Sequence, residues 1–84
     1  MQTMIERRKE KSLAGSVEEA VKEYLHTMDD QQVTDLYELV LTEVETPLIA
    51  CVLQFTNNNQ TQTASILGLN RGTLRKKLRK YGLL

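Results

Sequence analysis

Apolar positions recur at helical spacing along most of the chain and predict four helices. Val17, Ala20, Val21, Tyr24, Leu25 and Met28 form one stripe, the mark of an amphipathic helix with one wet face. Ser16 with Glu19 fits a capping box that opens this helix, and Leu13 is a second candidate for its start. Asp29-Asp30 ends it. A longer helix follows, from Val33 or Thr34 to Phe55, with Leu36, Val40, Val44, Leu48, Val52 and Phe55 along one face. Pro47 interrupts this helix and cannot donate to the carbonyl of Glu43. The apolar pattern continues past Pro47, which predicts a kink rather than a stop.

Asn57-Asn58-Asn59 reads as a turn, because Asn tolerates left-handed backbone and caps helices. A short helix over Gln60–Leu67 is closed by Gly68. Asn70 then caps a fourth helix from Arg71 to about Lys80, and Gly82 is its stop. Residues 1–12 are polar and without period, apart from Met4 and Ile5. The expected organisation is all-α: a short flexible arm over 1–12, dimerisation helices over 13–56 and a helix-turn-helix over 57–84.

The stretch after Pro47, Leu-Ile-Ala-Cys-Val-Leu-Gln-Phe, is apolar nearly all round. Such a helix must be covered on every side. A chain of 84 residues has little mass for that, since a domain of about this size buries only about 60% of its unfolded surface. The expectation is a homodimer with this helix at its centre and Leu36, Val40, Val44, Leu48, Cys51, Val52 and Phe55 at the interface.

Charge changes the picture through its position, not its total. Eleven Lys+Arg balance eleven Asp+Glu, which excludes a uniformly basic coat. From Leu25 to Asn70 the chain has no Lys or Arg but holds Asp29, Asp30, Asp35, Glu38, Glu43 and Glu45. From Arg71 onward it carries Arg71, Arg75, Lys76, Lys77, Arg79 and Lys80 and no acid. Such segregation points one end of the chain at a polyanion.

A short helix, a tight turn containing Gly68 and a second helix make the plan of a helix-turn-helix. Ala64, Leu67, Leu69, Leu74 and Leu78 are spaced to pack the two helices together, with Ala64 small at the crossing. Arg71 falls in the first turn of the last helix, where the helix dipole disfavours a cation. A phosphate or a base edge offsets that penalty, and Arg binds guanine O6 and N7 in bidentate fashion. Only Leu74, Leu78 and Tyr81 form the apolar side of this helix, too narrow for membrane insertion. Double-stranded DNA is the expected partner.

Other chemistry is sparse. The chain has one His, one Cys, one Phe and no Trp. Cys51 lies among apolar residues and reads as a small core residue. His26 has no companion for a metal. Glu43 and Glu45 lie on different faces of a helix, and no glycine-rich phosphate loop is present. The residues call for no enzyme, no cofactor and no metal. No apolar run approaches about 18 residues, as a membrane span needs, and MQTMIERRKEKS lacks the apolar stretch of a signal peptide. A cytoplasmic protein is expected.

Two motifs carry a family resemblance: Asp35-Leu-Tyr-Glu-Leu-Val-Leu-Thr-Glu-Val-Glu-Thr-Pro-Leu and Asn70-Arg-Gly-Thr-Leu-Arg-Lys-Lys-Leu-Arg-Lys-Tyr-Gly. From about Ser12 to Leu84 the chain resembles the Fis family of bacterial nucleoid-associated proteins. The second motif also resembles the DNA-binding domains of nitrogen-regulation-type activators. The resemblance implies a four-helix subunit in an intertwined homodimer whose second helices cross. It implies two recognition helices set closer than one turn of straight B-DNA, so that DNA is bent or a compressed A/T-rich minor groove is selected. The family's DNA-contacting positions fall on Asn59, Thr61, Asn70, Arg71, Thr73, Arg75, Lys76, Lys77, Arg79 and Lys80. Arg71 is the implied base reader, Asn70 touches base and backbone, and the rest touch mainly phosphates.

The implied roles are transcription regulation and nucleoid organisation, with RNA polymerase as a further partner. Two departures bear on this. Asn57 stands where better-known members carry an arginine that wraps flanking DNA and meets polymerase. The stretch before the first helix has about twelve residues, where those members carry a longer arm that activates DNA invertases in recombination. Two other readings remain open on the residues alone. One is the output domain of an enhancer-binding activator. The other is a helical dimerisation adaptor whose basic helix docks on an acidic protein.

Overall fold

The computed structural model describes residues 12–27 and 34–84. The expected arm, Met28, the Asp29-Asp30 stop and Val33 lie outside them, Ser12 excepted. Four helices are present among the described residues and no strand: α1 (Leu13–Thr27), α2 (Leu36–Phe55), α3 (Gln60–Leu67) and α4 (Arg71–Lys80). The chain is all-α. None of these helices is long and apolar enough to cross a membrane. The described residues fall into two compact units, one ending at Leu36 and the other running from Tyr37 to Leu84.

In the first unit, α1 opens at the earlier of its two candidate starts. The Ser12 hydroxyl accepts from the Gly15 N–H at 3.0 Å, and the Ser16 N–H already donates to the Ser12 carbonyl at 2.9 Å. Ser16 is therefore inside the helix and is not its cap, which corrects the expected capping box. Gly15 suits this cap, because a Cβ there would lie 3.0 Å from the Ser12 oxygen. Glu18 and Lys22 pair across one turn at 3.1 Å.

The second unit holds the rest of α2 with α3 and α4. The helix α2 starts at Leu36, later than the expected Val33 or Thr34, because Asp35 sits at φ +57. A left-handed residue cannot continue a right-handed helix, and Asp is among the few side chains that tolerate that backbone. The helix then runs through Pro47 without a stop. It ends in two consecutive left-handed residues, Asn57 (φ +55) and Asn58 (φ +67). The Asn58 N–H closes the end on the Leu53 carbonyl at 2.8 Å.

The core of this unit is small: Ile49 and Leu53 from α2, Ala64 from α3, Leu74 and Leu78 from α4, flanked by Leu67, Tyr81 and Leu83. Two buried threonines cross it. The hydroxyls of Thr56 and Thr63 meet at 2.7 Å. That of Thr56 also lies 3.1 Å from the Leu53 carbonyl and 3.2 Å from the Asn59 carbonyl. No buried side-chain polar atom among the described residues lacks a partner, as a well-formed interior requires.

Because Ile49 and Leu53 take the core side of α2, its other side is left uncovered. Leu48, Cys51 and Phe55 are exposed, Phe55 to 78%, and Leu36, Val40, Val44 and Val52 are half-buried. The exposure of Cys51 corrects its reading as a core residue of the subunit. It lies two residues from Ile49 and from Leu53, which at 3.6 residues per turn places it on the opposite side of the helix.

Candidate nucleic-acid interface

The turns around α3 set up the interface. Asn59 caps α3 with extended backbone, and its side chain accepts from the Gln62 N–H at 2.9 Å. Gly68 ends α3 at φ +76, a conformation that glycine adopts without steric penalty. The Leu69 N–H then closes on the Ala64 carbonyl at 2.9 Å. Asn70 caps α4, its side chain accepting from the Thr73 N–H at 2.8 Å. Ala64, buried to 3% exposure, lets the two helices approach. The result is a helix-turn-helix over α3 and α4 in which each helix starts at an asparagine cap. Helix N-termini present free N–H groups and the positive end of the dipole, which suits anions.

Arginines gather beside the first of these caps. Arg71 donates to the Thr61 hydroxyl at 3.3 Å and Arg75 to the Gln60 amide oxygen at 2.9 Å. Gln60, Thr61, Arg71 and Arg75 line an open cleft of about 310 Å³. Asn59, Thr61, Asn70, Arg71, Arg75, Lys76 and Arg79 are all exposed, and Thr73 is half-buried. Sequence reasoning missed Gln60. It is the first residue of α3 and faces Arg75 across fifteen positions, a separation at which no local pattern operates.

The two other predicted residues turn toward α2. The Lys77 ammonium lies 3.1 Å from both oxygens of Glu45. Tyr81 donates its hydroxyl to the same carboxylate at 2.6 Å. Lys80 pairs with Glu38 and stands 5.5 Å from the centre of the Tyr81 ring. The Tyr81 hydroxyl, ahead of Lys77, holds the Glu45 carboxyl below its ordinary range against the opposing effect of partial burial. The same hydrogen bond pushes the Tyr81 phenol up, and the Glu38 carboxylate raises the Lys80 ammonium. None of these carboxylates was singled out by sequence, apart from the dismissal of Glu45 as an acid/base partner of Glu43. Among the described residues no group of His, Cys, Asp and Glu side chains is arranged to hold a metal ion.

Comparison with known proteins agrees with this geometry. Residues 40–81 match the family described as "Bacterial regulatory protein, Fis family", a span that covers α3, α4 and most of α2. The chain is 56% identical over 73 residues to the DNA-binding protein Fis of Histophilus somni, covering 87% of this chain and 74% of that protein. The DNA-binding protein Fis of Haemophilus influenzae gives the same identity and coverage. That of Vibrio cholerae is 54% identical over 74 residues, covering 88% of this chain and 76% of the relative. None of these names describes a catalytic activity. With the helix-turn-helix, its caps and these relatives in agreement, the chain belongs to the Fis family of bacterial regulatory proteins.

Proposed function

We propose that this chain binds double-stranded DNA as a homodimer and bends it, regulating transcription from the bacterial nucleoid. The single observation that carries the reading is the row of exposed cations on α4, Arg71, Arg75, Lys76 and Arg79, flanked by two capped helix N-termini. Arg71 reads a base edge in the major groove, with Asn70 beside it. Asn59, Thr61 and Thr73 supply hydroxyl and amide contacts, and Arg75, Lys76 and Arg79 supply charge to phosphates.

The dimer is supported by the uncovered side of α2. Leu48, Cys51 and Phe55 are exposed on a helix that is apolar beyond Pro47, and a second copy of the same face covers them. Pairing two subunits in this way brings two α4 helices to one DNA. If they are held closer than a helical turn of DNA, the duplex must curve to meet both, and an A/T-rich centre is the sequence that compresses most readily.

The test is a salt titration of duplex binding. Three cations per subunit besides Arg71 make about six phosphate partners per dimer, hence a log–log slope of about −5 and a loss of about 10³ in affinity between 50 and 200 mM salt. A flat response contradicts the reading. Duplexes with A/T-rich and G/C-rich centres test the bending separately, since equal affinity for both removes shape selection and leaves simple binding. Arg71→Ala should lose about 1–3 kcal/mol and relax base preference, whereas Lys76→Ala should weaken all sequences alike.

A further inference from the structure

Six cations lie on α4, but they do not share one environment. Arg75 and Lys77 are two residues apart, about 200° around a helix of 3.6 residues per turn, so they project to opposite sides. Arg75 faces the start of α3 and Lys77 faces Glu45 of α2. The Lys77–Glu45 side chains are only 27% and 20% exposed, against 51% and 52% for Lys80 and Glu38. Tyr81, one turn beyond Lys77, grips the same carboxylate, and Leu78 between them is fully buried.

We infer that Lys77 is a positioning residue and not a phosphate contact: with Glu45 and Tyr81 it fixes the rotation of α4 against α2, so that Arg71 and Arg75 meet DNA in register. The inference rests on the DNA-binding reading above. Two attachments a turn apart, one from Lys77 on α4 and one from its C-cap Tyr81, hold the helix to one carboxylate more firmly than the ion pair alone. A lysine paired with both oxygens of a carboxylate also brings no net charge to a phosphate. For Lys77 to leave Glu45, a carboxylate would remain beside the incoming phosphate and repel it. Lys80 is different, because its half-exposed pair with Glu38 can exchange for phosphate at little penalty.

The experiment measures duplex binding by fluorescence anisotropy across a salt series, using a labelled duplex with an A/T-rich centre. The proteins are the wild type, Lys77→Gln, Glu45→Gln, the double variant, Tyr81→Phe and the charge swap Glu45→Lys with Lys77→Glu. A positioning tie predicts that Lys77→Gln and Glu45→Gln each weaken binding by roughly three- to tenfold. It predicts an unchanged salt slope, a double variant no worse than either single one, and partial recovery in the swap, which restores the ion pair but not the Tyr81 hydrogen bond. Tyr81→Phe keeps the ring and loses only the hydroxyl, so it gives a smaller loss of the same kind in a fully folded protein. A phosphate contact predicts the reverse: Lys77→Gln lowers the slope by about two units per dimer, Glu45→Gln tightens binding and the swap abolishes it. That pattern overturns the inference while leaving DNA binding intact. A wild type that ignores duplex DNA overturns both.

Discussion

The buried threonine pair at the junction of α2 and α3 offers a sharp test of how this fold is held. Thr63 has no exposed surface and Thr56 is 8% exposed. A hydroxyl has one proton. Thr56 has two carbonyl oxygens in reach, those of Leu53 and Asn59, so we assign its one proton to a carbonyl and the donor across the 2.7 Å contact to Thr63. Thr56→Val therefore leaves a buried Thr63 donor without a partner. Such an orphan costs about 1–3 kcal/mol. The two carbonyls keep backbone partners, the Asn58 and Thr63 N–H groups, and add little to the penalty. Thr63→Val removes the donor but leaves Thr56 donating, so the loss should be about 1 kcal/mol. Replacing both with valine removes the orphan and keeps the shape. The double variant should then be no less stable than Thr56→Val, far from the sum of the two single losses. Thermal melts at one fixed protein concentration are the assay, because the proposed dimer would couple stability to concentration. A difference of 1 kcal/mol corresponds to about 4–8 °C in a domain of this size. Additive losses, or a Thr63→Val variant weaker than Thr56→Val, refute the assigned direction of the bond.

Three further outcomes follow from the same packing. Leu74→Ala should lower stability by about 2–5 kcal/mol, since Leu74 is fully buried between α2 and α3 contributors to the core; urea denaturation measures it. Gly68→Ala should destabilise, because φ +76 strains any side chain although nothing within 4 Å would clash with it; the penalty is about 1 kcal/mol, read by the same assay. Glu45 has its acid strength raised by folding. Its contribution is therefore present above the ordinary glutamate value and is lost as pH falls through the depressed one. Glu45→Gln should flatten the acid limb of a pH–stability curve below the ordinary carboxylate range, and an unchanged limb shows that the carboxylate contributes nothing.

What could be read in the sequence was whatever acts over a few residues. Asn59 and Asn70 were legible as caps because a short amide reaches the N–H three positions on, which is where Gln62 and Thr73 lie. Gly68 was legible because a left-handed helix end nearly demands it. The polar side of α4 was legible from its two leucines. The ties between α2 and α4 were not. Glu45 lies 32 residues from Lys77 and 36 from Tyr81, and Glu38 lies 42 from Lys80. Nothing local distinguishes these carboxylates from Glu43 on the same helix. Thr56 and Thr63 lie on either side of a turn, and only the fold of that turn brings their hydroxyls together. The start of α2 was misjudged because Thr34 and Asp35 suit either helix or turn, and the left-handed backbone of Asp35 delays the helix to Leu36.

The division of labour among the cations of α4 follows from the chemistry of their side chains. Arg71, Arg75 and Arg79 recur every fourth residue, a line that drifts about 40° per step around the helix, and all three are exposed. Lysines make the two pairs with α2 carboxylates. A guanidinium is planar, always charged and able to bind a base edge or phosphate at two points, whereas an ammonium is a compact point charge that adapts to a nearby carboxylate. Exchanging the two types should therefore not be neutral even at constant charge. Lysine along the arginine line removes the capacity for a bidentate contact, and arginine at position 77 is too wide for a half-buried site already closed by Tyr81. A chain with zero formal charge can in this way present a strongly basic edge: none of its acids lies on α4, and two of the three on α2 pair with lysines of the basic helix and leave its arginine line free of carboxylates.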